Sequence, residues 1–316
     1  MTAAGRQMTV ATLCEHWLRQ QGGDLSSNTR ELRAWVVHTH LTPALGARRV
    51  RDLSADDVAG FLQDKVAAGY ARATVDKFRG VLGQALRHAE RQGLVARNVA
   101  VLVPTPAGPR APGRSLTVAE AKALLVTAQG HPLEAALVLA LTSGLRPGEL
   151  LALRWDDLDL DAGLLRVSRA IVRRGGRVEL GKTKTPTSRR QLLLPDLAVA
   201  ALREHRVRQG LQRQAAGESW QDCGLVFPTV LGTLLDPANL RRSLSQLTER
   251  AGLGHWHPHE LRHSAASLLS AAGVPLEEIA DLLGHATTRV TSAVYHHQIG
   301  PTVEAAKQPM DRLFGP

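Results

Sequence analysis

Two domains are expected from this sequence: an all-helical one over residues 1–102 and a mainly helical α+β one over residues 115–316, with a small antiparallel β-sheet. Three observations carry that expectation. The 316 residues, 44% of them hydrophobic, suffice for two cores of ordinary size. Residues 103–114, VPTPAGPRAPGR, hold four prolines, two glycines and two arginines without apolar periodicity, and read as an extended basic linker. Apolar residues recur at helical spacing ahead of this linker, whereas alternating segments occur behind it.

In the first domain, Val10, Leu13, Cys14, Trp17 and Leu18 follow helical spacing after Thr9, a candidate cap. Ser27 is positioned to cap a second helix bearing Leu32, Trp35 and Val36, and His40–Gly46 reads as a turn. Ser54 with Asp57 forms a capping box ahead of Val58, Phe61, Leu62 and Val66. A fourth helix spans about Ala73 to Gln92, with Val75, Phe78, Val81, Leu82, Ala85 and Leu86 inside and Lys77, Arg79, Arg87 and Arg91 outside. Such a basic face is either solvated or set against phosphates.

In the second domain, Thr117 and Glu120 form another capping box, and an apolar helix runs from Leu133 to Leu141. Gly144 breaks it, and Pro147 suits the first turn of the next helix, which holds Arg146 at a junction of apolar helices. Leu164–Ser168, Ile171–Arg173, Val178–Leu180 and Gln191–Leu194 alternate like strands, with Gly175-Gly176 as a hairpin turn. A helix is expected over Leu197–Arg208, weak patterning over Gln209–Gln221, and another helix from Asp236-Pro237 to Arg250. Residues 257–297 then read as three short helices: one stops at Gly273, one runs from Pro275 to Gly284, and one begins near Thr287 and carries Tyr295.

The formal net charge of +10 points to a polyanionic partner, unless it reflects only a basic compositional bias. Two distant cysteines, Cys14 and Cys223, exclude a disulfide scaffold and a four-cysteine zinc site and suggest a reducing compartment. No stretch approaches the ~18 apolar residues of a membrane span, and the first residues lack a signal-peptide core, so an intracellular, non-membrane protein is expected.

Arg146 and Arg262, each at a helix junction, suit a phosphate: a guanidinium donates paired hydrogen bonds and neutralises charge gained in a five-coordinate transition state. Lys182 or Lys184, on a tight turn, suits a general acid. Tyr295, one of two tyrosines, suits a nucleophile provided cations or a base lie beside it. His259, three residues before Arg262 on one helix face, and His285 are the candidates for that assistance. Each residue alone is more often structural; their order along the chain is the stronger signal.

That order resembles the tyrosine recombinases of the phage and mobile-element integrase type. TSGLRPGEL resembles the family's first arginine box, with Arg146 as its arginine and Glu149 as the accompanying acid. GKTKTPTSRRQLLLP resembles the β-hairpin lysine segment, with Lys182 the better match and Lys184 the alternative. HELRHSAAS supplies His259 and Arg262, and LGHATTRVTSAVYHH supplies His285 and the nucleophile Tyr295. HLTPALGARRVRDLSADDV resembles the core-binding domain.

The resemblance implies an all-α SAM-like core-binding domain followed by a tyrosine-recombinase catalytic domain. It implies a site-specific recombinase that cleaves and rejoins double-stranded DNA through a 3′-phosphotyrosine, with catalytic residues Arg146, Lys182, His259, Arg262, His285 and Tyr295 and with neither cofactor nor metal. Mobile-element integration or excision is the expected role, with Xer-like resolution of chromosomes or plasmids as the alternative. A homotetramer on two recombination sites follows, with room for accessory proteins, in a nucleoid-associated cytoplasmic setting. No arm-binding domain is expected ahead of Val10. The tail from Val303 to Phe314 has an apolar set expected to dock on a neighbouring subunit, with packing on its own domain as the alternative.

Three rival readings remain in view. His259-Glu260-x-x-His263 matches the zinc-protease helix, with Glu260 as base. That reading puts the Arg262 cation inside the metal-binding turn and leaves Arg146, Lys182 and Tyr295 unexplained. A non-catalytic regulator would use Leu261–Gly284 as a helix-turn-helix. A type IB topoisomerase would share the chemistry without exchanging partner strands.

Overall fold

The computed structural model describes residues 7–22, 25–107, 114–174, 177–182, 189–284, 302–303 and 307–314. Contacts divide the chain into two compact units, residues 1–112 and 113–316.

Among the described residues, the regular elements of the first unit are all helices. Helix α1 (Val10–Arg19) is capped by Thr9, whose hydroxyl accepts from the Thr12 amide. Helix α2 (Ser27–Trp35) is capped by Ser26 rather than Ser27: Ser26 has the extended backbone a cap needs, and its side chain reaches the Thr29 amide. The expected turn at His40–Gly46 is helical instead. A π-helical stretch, Val36–Leu41, runs directly into α3 (Thr42–Leu45). Pro43 sits at the start of α3, where a missing N–H breaks no bond. Burial of Val36, Val37, His40 and Leu41 holds the coil in place. Helix α4 (Ala55–Ala67) carries the Ser54–Asp57 capping box, and α5 (Arg72–Arg91) buries Val75, Phe78, Val81 and Leu82.

Phe78 is the centre of this core, with the rings of His40, Tyr70, Trp35 and Phe61 at 4.3, 5.4, 5.9 and 6.4 Å. Leu32 and Trp35 of α2 stay exposed. Burial pushes the Cys14 thiol up to about 12, which leaves it inert at neutral pH. The Pro-rich segment begins pinned to α5: Arg79 donates to the Val103 carbonyl at 3.0 Å and Thr105 to Asp76 at 2.5 Å.

The second unit is built around a buried helix. Helix α6 (Val118–Thr127) starts at the Thr117–Glu120 capping box. Helix α7 (Glu134–Ser143) has Ala135 to Ser143 buried all round, the pattern of a central helix. It ends at Gly144 in the left-handed region, φ +58°, where a Cβ would run into Leu283. Helix α8 (Pro147–Leu151) follows.

Among the described residues, six strands form two sheets: β1 (Leu158–Asp159), β2 (Leu164–Val167), β3 (Arg169–Arg174), β4 (Arg177–Lys182), β5 (Arg190–Leu193) and β6 (Thr302–Val303). The first sheet has the order β1-β2-β5-β6, and β3 and β4 form a separate hairpin with Arg174 opposite Arg177. All pairs are antiparallel except β5–β6, which is parallel with Gln191 opposite Thr302.

Helix α9 (Asp196–Ala216) runs past Arg208, where patterning fades. Residues 210–215 are exposed, so they show no apolar face to read. Helices α10 (Pro237–Arg250), α11 (Pro258–Ala271) and α12 (Leu276–Leu283) complete the unit, with Gly273 at φ +82° and Gly284 at φ +63° ending the last two. The third expected helix, with His285 and Tyr295, lies outside the described residues. Helix α13 (Lys307–Phe314) packs on its own unit, the alternative expected for the tail. Met310 is fully buried there, Lys307 pairs with Asp196 at 2.5 Å, and Asp311 accepts from the Asp196 amide at 2.9 Å. Strand β5 and helix α9 give the tail an edge and an apolar face within the same chain. Among the described residues, no helix is long and apolar enough to cross a membrane.

Candidate active site

The site is organised by the carbonyl end of α12. The last carbonyls of a helix lack intrahelical donors and carry the negative end of its dipole. Here three arginines supply the donors in succession. Arg190 Nε donates to the Leu282 carbonyl at 2.6 Å, Arg262 Nη2 to Leu283 at 2.7 Å, and Arg146 Nη2 to Gly284 at 2.9 Å. Arg262 also donates through Nη1 to the carbonyl of Gly144, the cap of α7, at 2.7 Å. That helix end meets α12 closely because Gly144 has no Cβ.

Glu149 binds two of the three guanidiniums together. Its Oε1 accepts from Arg146 Nη1 at 2.7 Å, while its Oε2 accepts from the Arg146 amide at 3.0 Å and from Arg190 Nη2 at 3.1 Å. The side chains of Glu149 and Arg190 are 2% and 4% exposed, so this is a desolvated pair. Burial alone would raise the Glu149 carboxyl. The Arg190 charge, and then bonds from Arg190 and Arg146, reverse that and hold it below the ordinary glutamate range. Burial, then the Arg146 and Arg190 charges, pull the Arg262 guanidinium down to about 10, still a cation at neutral pH.

Arg146 and Arg262 are therefore brought side by side from α8 and α11. His259, one turn before Arg262, stands on the exposed side of α11. Partial burial of its imidazole, then the charges of Arg262, His263 and Arg146, lower its pKa and favour the neutral ring. Lys182 ends β4, opposite Arg169, and only its backbone is described. Its hairpin lies against the helix that follows Arg146: a Cβ on Gly148 would be 3.4 Å from the Ile171 carbonyl on β3. Lys184, His285 and Tyr295 lie outside the described residues. His285 directly follows Gly284, whose carbonyl Arg146 holds. Tyr70, the other tyrosine, has its ring packed against His40 and Phe78 at 5.4 Å each.

Helix α11 is also where the chain enters this unit. Arg114 lies 4.1 Å over the Trp256 ring and pairs with Glu260 at 3.1 Å, and the Leu116 amide donates to Ser264 at 2.9 Å. Glu260 further accepts from the His257 amide at 2.6 Å, capping its own helix. The acidic residue of the zinc-like His-Glu-x-x-His string is thus occupied as a cap and ion-pair partner. Among the described residues, no group of three or more His, Cys, Asp and Glu could hold a metal ion.

Arg190 was given no role in the sequence reading. Alternation could have found it: Arg190 shares the inward face of β5 with Leu192, and a charge on a buried face requires a partner.

Neighbouring guanidiniums fixed by protein acceptors form a cationic seat that need not reorganise to meet an anion. The fold has known counterparts. The profile of the Phage integrase family matches residues 114–299, and that of the Phage integrase central domain matches residues 10–103. An integrase of Streptomyces ambofaciens is 40% identical over 319 residues, covering 97% of this chain and 80% of that protein. A XerC-like tyrosine recombinase of Caldanaerobacter subterraneus subsp. tengcongensis is 34% identical, with 62% of this chain aligned to 53% of that one. Among solved structures, a Tn1549 transposon integrase in complex with transposon right-end DNA superimposes with a TM-score of 0.78 at 20% identity, over 89% of this chain and 92% of that one. Lambda integrase bound to DNA gives 0.66 at 19% identity, over 90% and 95% of the two chains. With the family profile spanning more than half of the chain and a relative aligned along nearly all of it, the chain belongs to the phage integrase family and is a site-specific tyrosine recombinase.

Proposed function

We propose that this recombinase breaks and rejoins duplex DNA with Tyr295 as nucleophile, in the integration or excision of a mobile element. The observation that carries the reading is the pair Arg146 and Arg262, held on consecutive carbonyls directly ahead of His285. The Tyr295 oxygen attacks a phosphodiester and forms a bond to phosphorus, while the bond to the 5′-oxygen breaks. Arg146, Arg262 and His285 hold the non-bridging oxygens of the five-coordinate phosphorus. Lys182, with Lys184 as the alternative, gives the departing 5′-oxygen its proton, and His259 assists proton movement at the attacking phenol or at the phosphate. Glu149 orients Arg146. The 3′-phosphotyrosine conserves the energy of the broken bond, so a 5′-hydroxyl from a partner strand reverses the step and exchanges strands without nucleotide hydrolysis.

DNA as partner is supported by the +10 charge and by the DNA complexes of the Tn1549 and lambda integrases. Oligomerisation, with four copies on two sites, is supported by the lambda integrase tetramer bound to a Holliday junction. The integrase of Streptomyces ambofaciens, aligned along nearly the whole chain, favours the mobile-element role over Xer-like resolution.

The test is covalent trapping on a pool of nicked duplexes of randomised sequence, from which cleavage releases a short fragment. Wild type is expected to give a slow-migrating protein–DNA band that protease removes, and sequencing of the trapped strand identifies the site. Tyr295→Phe is expected to bind the recovered duplex and give no band, and Tyr70→Phe to match wild type. Trapping that survives Tyr295→Phe overturns the assignment.

A further inference from the structure

We propose that Arg190 is a positioning residue for strand cleavage: it fixes the carbonyl end of α12 and the Glu149 carboxylate, and through them Arg146 and the chain that leads to Tyr295. The proposal rests on the cleavage reading above, and adds a residue to which that reading gives no part.

Arg190 opens β5, a strand paired on both sides, so its backbone is anchored. Its side chain is 4% exposed, and no phosphate reaches it in that position. What it touches is the machinery. Nε donates to the Leu282 carbonyl at 2.6 Å and Nη2 to Glu149 at 3.1 Å, while Glu149 in turn holds the Arg146 amide and guanidinium. The carbonyls of Leu282, Leu283 and Gly284 thus each receive a different guanidinium, and Arg190 takes the innermost. A rotation of α12 about its own axis would break all three bonds together. Arg190 is also fixed to the tail: the next residue, Gln191, is opposite Thr302 on β6. The two fixed points that flank residues 285–301 are consequently adjacent residues of one strand. A planar fork is required for this role, because a lysine ammonium presents one point charge and cannot span the carbonyl and the carboxylate in fixed directions.

The test compares wild type, Arg190→Lys and Arg190→Gln as full-length proteins. The first readout is hydrogen exchange of the free protein. Faster exchange is expected in both variants over Leu276–Gly284, with α7 unchanged. The second is single-turnover cleavage of the duplex recovered by trapping with wild type. A merely structural loss lowers the amplitude, because fewer molecules are folded, and leaves the rate constant alone. Lost positioning lowers the rate constant, by about 10²-fold for a misplacement near 1 Å, with amplitude and DNA affinity retained. Unchanged exchange over Leu276–Gly284 overturns the proposal, as does a wild-type rate constant in Arg190→Lys. Absence of any adduct from wild type removes the cleavage reading itself and this role with it, and that outcome is distinguished by the wild-type lane alone.

Discussion

Glu149→Gln isolates the charge at the centre of the site. The change conserves shape, so it opens no cavity. It replaces a carboxylate that accepts from Arg146 twice and from Arg190 once with an amide that has one acceptor oxygen. The amide NH₂ would face a guanidinium donor, and Arg190, 4% exposed, would lose its buried counter-charge. Removing one partner of such a pair costs about 3–5 kcal/mol, against at most ~1 kcal/mol for an exposed pair. Urea unfolding followed by tryptophan fluorescence measures the loss, in a reference protein whose Trp17 and Trp35 are replaced by Phe so that Trp155, Trp220 and Trp256 report only the second unit.

The pH dependence supplies a second check on the same variant. The Glu149 carboxyl is held below its ordinary range, so the stability it contributes is complete above the unfolded-state value of ~4.3. It is lost as pH falls through the lower folded-state value. The gap between wild type and Glu149→Gln is therefore expected to be constant near neutrality and to close only below that point. A loss under about 1 kcal/mol at pH 7, or a gap that closes on the alkaline side, refutes the buried-pair argument.

Two further outcomes are expected. Gly144→Ala places a Cβ at φ +58° and into Leu283, and should cost about 2 kcal/mol or more in the same unfolding assay; a neutral effect would mean that α7 and α12 separate without penalty. In a two-dimensional NMR titration His259 should protonate below the ordinary histidine range, and Arg262→Gln, which removes its strongest neighbouring charge, should move that midpoint upward. Because the folded-state value is depressed, protonation of His259 works against folding, so its contribution falls away as pH drops below the unfolded value of ~6.5.

Local chemistry made much of the architecture legible. The capping boxes at Ser54–Asp57 and Thr117–Glu120, and the helix ends at Gly144, Gly273 and Gly284, depend on side chains within a few residues of one another. The misread places have physical causes. Pro43 and Gly46 look like a turn, yet Pro43 opens α3 and Gly46 closes it, so both are compatible with continuing helix. The parallel pairing of β5 with β6 joins segments more than a hundred residues apart, beyond any local pattern. The arginine boxes pointed to Arg146 and Arg262 through their junction positions. Their acceptors were hidden, because main-chain carbonyls at a helix end have no signature in residue type. Arg190 lies one residue ahead of the expected strand Gln191–Leu194, so its place on the buried face of β5 became visible only once the strand's true start was known.

The manner in which the chain enters the second unit has a mechanical consequence. Arg114 packs over Trp256 and pairs with Glu260, and the Leu116 amide donates to Ser264, so the incoming segment is fastened to the first turns of α11 and to Trp256 just ahead of it. That helix carries His259 and Arg262. Arg114 and Leu116 are thus held by the same helix that positions His259 and Arg262, and a strain applied to them falls on the opening turns of α11 before the buried helix behind it.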